Sequence, residues 1–114
     1  MGSIVNYDLL NRADYEDFGR MKEMLALYNS HERNAERGDS VAHSILIDLQ
    51  TAIYTPGVLT KKQLEAVELY FMHFVTQEEI GAEFSVSRRA IGYRLDAAIK
   101  NIQKILLSGK LFLH

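Results

Sequence analysis

The chain has 114 residues, 47% of them hydrophobic and 25% charged, with a net charge of −2, one proline and no cysteine. That amounts to about one domain with apolar residues enough for a core, and it excludes disulfides and thiolate metal sites, so a reducing cytoplasm is the expected setting. No apolar run approaches the roughly 20 residues of a bilayer span, and Met1 to Leu10 lacks the basic start and apolar centre of a signal peptide, so no membrane partner is expected.

The scarcity of strand-like alternation and the single proline, Pro56, point to an all-α fold. The first predicted helix runs from about Asn6 to Tyr28, with Phe18, Met21, Leu25 and Tyr28 three or four residues apart. Such a stripe needs an apolar surface, which its own domain, a second copy or another protein would supply. Asn29 to Ser40, NSHERNAERGDS, holds one alanine among polar residues and Gly38, and reads as a linker or a frayed helix end. His31 is read there as solvated. The chain thereby divides into an N-terminal helical arm with a polar linker, 1–39, and a remainder, 40–114.

Asp39 or Ser40 caps the next helix, on which Val41, Ile45, Leu49, Ala52 and Ile53 share a face. It should end near Tyr54, because Pro56 disfavours helical geometry at Thr55. Thr60 caps a helix from Lys61 to about Phe74, apolar on more than one side through Leu64, Val67, Leu69, Tyr70, Phe71 and Phe74, and therefore the expected centre of the core.

Thr76 to Leu95 organises the rest. Thr76 with Glu79 three residues on forms a capping box, carboxylates fill the first turn, and Ile80 and Phe84 share one face. Ser85-Val86-Ser87 is too short for a loop, and Ser87 caps a second helix. Helices joined so tightly cross steeply, the geometry that lets the second enter a major groove. That second helix carries Ile91, Leu95, Ala98, Ile99, Ile102, Ile105 and Leu106 as one stripe and leaves Arg88, Arg89, Gly92, Tyr93 and Arg94 on or near its open side. Two cations in a first turn oppose the helix dipole and make sense beside an external anion; ordinary surface arginines are the alternative. Tyr93 is equally readable as an edge of the core. Gly109 stands where a C-cap is expected, and Leu111-Phe112-Leu113 either pack back on the domain or swap onto a second copy, giving a homodimer.

Leu59 to Tyr70, Thr76 to Gly81, Val86 to Ile91, Arg94-Leu95 and Ala97-Ala98 together resemble region four of bacterial sigma factors and the small related regulators, many of them phage-borne. The resemblance runs from about Ile45 to Leu107. It implies a domain of about four helices whose second helix-turn-helix element reads double-stranded DNA, and RNA polymerase as a partner. The implied contact set is Thr76, Gln77, Ser87, Arg88, Arg89, Gly92, Tyr93 and Arg94, with Lys61 and Lys62 as further phosphate contacts or solvated. The promoter-melting region has no counterpart, so a self-sufficient sigma factor is not expected. Two residues depart from the family: Gly92, where a long polar side chain is common, and Asp96, where a basic residue is common and an acid repels phosphate. Ser85 also replaces the usual turn glycine, which forces the question of positive φ there.

Charge is unevenly spread. Residues 1–59 carry five Lys or Arg against nine Asp or Glu, and residues 60–114 carry eight against six, so the halves are −4 and +2. The second half suits phosphates and the first does not, with few contacts to offer and weak, salt-sensitive binding by one copy. The alternative function is a sigma-like interaction module that binds polymerase or a sigma factor without reading DNA. No cofactor is expected and an enzyme is not: His31, His43, His73 and His114 are scattered, and no glycine-rich phosphate loop occurs.

Overall fold

The computed structural model describes residues 14–108, and these are α-helical with no strand among them. The order is α1 (Phe18–Ala26), α2 (Tyr28–Glu36), α3 (Ser40–Tyr54), α4 (Lys61–Val67), a π-helical turn (Glu68–Met72), α5 (Gln77–Phe84) and α6 (Arg88–Ser108). The expected helix before Asp14, the C-cap at Gly109 and the apolar tail lie outside the described residues. No described helix is long and apolar enough to cross a membrane.

The boundaries follow from side chains that satisfy the free amides of each first turn. Asp17 accepts from Arg20 N at 3.2 Å, and Asp39 accepts from Val41 N and Ala42 N at 3.1 and 3.0 Å. Thr60 accepts from Gln63 N while Gln63 accepts from Thr60 N, a second capping box beside the one at Thr76. Helix α3 stops at Tyr54, two residues before Pro56, as the sequence implied.

The polar stretch after Tyr28 is not a linker. It forms α2, which starts as soon as α1 turns at Leu27 and lies along α3. Its polar groups are spent on neighbouring helices: Asn29 Nδ2 donates to the Met72 carbonyl at 3.1 Å, and Tyr28, itself buried, accepts from Gln50 Nε2 at 3.0 Å. Gly38, at φ +95°, supplies the left-handed exit that a side chain would resist.

A single apolar cluster holds Met21, Leu25 and Tyr28 together with Leu49, Ile53, Val67, Ile80, Leu95, Ile99 and Ile102. Polar ties fasten the segment before α1 to it. Tyr15 OH donates at 2.6 Å to Asp48, which is only 8% exposed, and Gln103 Nε2 of α6 donates to the Tyr15 carbonyl at 2.7 Å.

Three sequence expectations shift. The helix from Lys61 does not reach Phe74: it widens into the π-helical turn, and Phe74 takes φ +57° with 67% of its surface exposed, outside the core. A bond from Val75 N to the Leu69 carbonyl at 2.9 Å closes this end. Val41, at the edge of the inward arc of α3 and in its first turn, is exposed rather than buried. His31 is half-buried rather than solvated, and its Nε2 is enclosed without a hydrogen-bond partner.

Burial pushes the His31 pKa below its ordinary 6.5, against the opposing pull of Asp39 and of a hydrogen bond with the Met24 backbone. The unfolded chain therefore binds this proton more readily than the folded one. Stability is expected to be intact above pH 6.5 and to fall as pH drops below it toward the depressed folded value. Urea unfolding of wild type and His31→Gln across this range checks it: the difference between the two should vary with pH, and parallel profiles would remove His31 as the cause.

Candidate nucleic-acid interface

Helices α5 and α6 form the helix-turn-helix, and three local features fix their junction. Ser85 adopts the left-handed conformation, φ 57° and ψ 41°, so this serine takes the strained geometry that a glycine would take freely. Val86 N returns to the Gly81 carbonyl at 2.9 Å, and Ser87 Oγ then accepts from Ala90 N at 3.0 Å to open α6. Gly81 is buried beneath the turn: a Cβ on it would stand 2.7 Å from the Val86 carbonyl oxygen and within 3.3 Å of the Ser87 and Arg88 backbone.

The expected contact residues fall into separate roles on this frame. Thr76 is exposed but engaged in its capping box, accepting from Glu79 N at 3.1 Å and donating to Glu79 Oε1 at 2.9 Å. Ser87 is the cap of α6. Arg88 and Arg89 are exposed in the first turn, and neither forms an ion pair with a described residue. Arg89 Nε donates to Tyr93 OH at 3.0 Å, with the guanidinium carbon 5.7 Å from the ring centre, so these two side chains form one outward-facing unit. Tyr93 is 62% exposed and is not a core-edge residue.

Arg94 differs from the other two arginines. It is half-buried, with its guanidinium 5.9 Å from the Phe84 ring, and so braces the end of α5. Gly92 is half-buried and faces Gln77, whose Oε1 would lie 3.2 Å from a Cβ there. Gln77 in turn lines a cleft of about 360 Å³ with Tyr70, Thr76, Glu78 and Arg88. Lys61 and Lys62 are exposed at the start of α4.

Asp96 ceases to be an anomaly. Its carboxylate lies 3.8 Å from Lys22 Nζ of α1, so it is turned toward the N-terminal helices. Both partners are about half exposed, and such a pair contributes about 1 kcal/mol at most.

Two residues of this region escaped the sequence reading. Gly81 was visible only as an isolated glycine in a helical pattern, a signal of close packing. Tyr70 was placed in the core by its apolar neighbours; the structure leaves it half-buried at the cleft, its ring edge-on to Phe71 at 4.9 Å.

No curated protein and no solved structure matches the chain. Residues 57–104 match the family model described as Sigma-70, region 4, a stretch that takes in α4, the π-helical turn, α5 and most of α6 and leaves α1, α2 and α3 outside. With its capped helices, its tight Gly81 junction and its exposed arginines in place, this part of the chain is a sigma-70 region 4-like helix-turn-helix domain, a DNA-binding type of domain.

Proposed function

We propose that the protein is a transcription regulator that lays the N-terminal half of α6 in the major groove and acts together with RNA polymerase. The observation that carries this reading is the pair Arg88 and Arg89: two exposed cations at the positive end of a 21-residue helix, neither of them ion-paired with a carboxylate among the described residues. An anion supplied from outside relieves that arrangement, and duplex DNA supplies one every few ångströms. Thr76, Gln77, Ser87, Gly92, Tyr93 and Arg94 complete the proposed contact face, with Arg94 reaching the backbone from its seat on Phe84.

Few cations are on offer, so one copy should bind naked DNA weakly, and polymerase or a second copy supplies the remaining contacts. Fluorescence anisotropy with a duplex at low salt tests the DNA reading. Wild type should bind, and Arg88→Ala with Arg89→Ala should weaken binding at least tenfold and reduce the slope of log affinity against log salt by about 0.9 for each phosphate no longer neutralised. Equal affinity and slope in the double variant would remove these arginines from the interface.

A second reading, a module that binds polymerase or a sigma factor without reading DNA, draws on a different surface. Leu69, Val75, Ile80 and Phe84 line an open apolar groove with Glu79 and Glu83 on its walls, and Ala26, Tyr70, Phe71 and Phe74 continue the apolar surface on the other side of Val75. If wild type shows no DNA binding at low salt and yet retains purified polymerase on a column, this second reading replaces the first.

A further inference from the structure

Gly92 breaks the pattern of the helix that carries it. It lies inside α6, four residues after Arg88, where glycine weakens the helix. Its backbone does not need glycine, since among the described residues positive φ at glycine occurs only at Gly38 and Gly57. What matters is the missing side chain, and the space above it is taken by Gln77 of the neighbouring helix, with Oε1 3.2 Å from where a Cβ would stand. The Gln77 carboxamide has no hydrogen-bond partner among the described residues, so both ends are available to a ligand. It sits at the cleft shared with Arg88, on the row of α6 that runs from Arg88 to Gly92.

We propose that Gln77 is a base-reading residue, delivered from α5 across the gap at Gly92 to do what a long side chain on α6 would otherwise do. A carboxamide pairs an acceptor oxygen with a donor NH2, which matches the N6 donor and N7 acceptor of adenine in the major groove and no other base edge as well. The ligand is therefore duplex DNA with an A·T pair opposite Gly92, next to the base or phosphate met by Arg88. This assignment rests on α6 being the groove helix and adds to it the residue that sets one position of the preferred sequence. It also gives a use to a glycine that otherwise only costs helix stability.

The test is selection of sites from a randomised duplex pool with wild type, Gln77→Ala and Gly92→Ala, followed by anisotropy on the selected site with single base-pair changes and by thermal melts of each protein. Wild type should favour A·T at one position by about 5- to 150-fold, the discrimination expected of one bidentate pair. Gln77→Ala should erase the preference at that position and leave the others in place. Gly92→Ala should melt at a higher temperature, because alanine suits a helix interior and the new methyl meets only the far end of the flexible Gln77 side chain, and yet lose the same preference as the carboxamide is displaced. A variant that is more stable and less selective cannot be explained by misfolding.

Uniform loss of affinity for all sequences in Gln77→Ala would make Gln77 a phosphate contact and overturn the proposal. An unchanged preference in Gly92→Ala would overturn it as well. Failure of wild type to bind any duplex at low salt would instead overturn the groove-helix reading and this one with it, an outcome distinct from a change confined to one base position.

Discussion

Gly81→Ala is expected to lower the melting temperature by roughly 10 °C, although alanine is the better helix former by about 1 kcal/mol. The three nearest atoms the added methyl meets are all backbone of the turn, 2.7 Å away at the Val86 carbonyl oxygen and 3.2 and 3.3 Å away at Ser87 C and Arg88 N. Side chains yield to a new methyl group by changing rotamer, but these atoms belong to a turn already held by the Val86–Gly81 hydrogen bond and by the left-handed Ser85. Overpacking of about 3 kcal/mol, less the helix gain, leaves a net loss of roughly 2 kcal/mol. The crossing of α5 over α6 would open with it, so DNA affinity should fall in the same variant. Thermal melts followed by circular dichroism decide the matter, with Gly92→Ala as the opposite-signed control on the same motif. A Gly81→Ala protein that melts at or above the wild-type temperature would show that the close approach is not what this glycine serves.

Leu25→Ala is expected to cost about 2–5 kcal/mol, a large part of the roughly 5–15 kcal/mol that holds a domain of this size together. Leu25 has no exposed surface and belongs to the same apolar cluster as Leu95, Ile99 and Ile102 of α6. Truncation therefore leaves a cavity between the N-terminal helices and the long helix. Because one cluster is shared, urea unfolding should remain a single transition with its midpoint lowered, and the loss should appear equally in signals from α1 and from α6. Two transitions, with the α6 signal unmoved, would show that the N-terminal helices fold apart from the helix-turn-helix.

The helices with strong caps were legible from residues alone. Thr60, Thr76, Ser87 and Asp39 each announce a helix start because a short oxygen-bearing side chain reaches its own N3 amide regardless of what surrounds it. The stop before Pro56 is equally local. Helix α2 was hidden for the opposite reason. Its stability comes from Asn29 reaching Met72 and Tyr28 reaching Gln50, partners 43 and 22 residues away in the chain, which no periodicity of apolar residues reports. Phe74 misled for a related reason: it continues an apolar run, but the π-helical turn rotates the chain end so that this residue leaves the core. The proposed contact residues could be named as a group from the sequence, though not the separate positions and partners the structure gives them. That Ser87 is a cap could be read off the sequence, whereas the pairing of Arg94 with Phe84 and of Asp96 with Lys22 depends on which elements come to lie side by side.

By itself, then, the sequence determined the helical class, the capped helix-turn-helix and the basic start of α6, since each rests on interactions between residues close in the chain. The tertiary structure alone decided that the N-terminal helices share the core, that Asp96 turns toward α1, and that Gln77 occupies the space left by Gly92. Those outcomes depend on packing between distant segments, where a side chain's meaning is set by its neighbour across the helix boundary and not by its position in the chain.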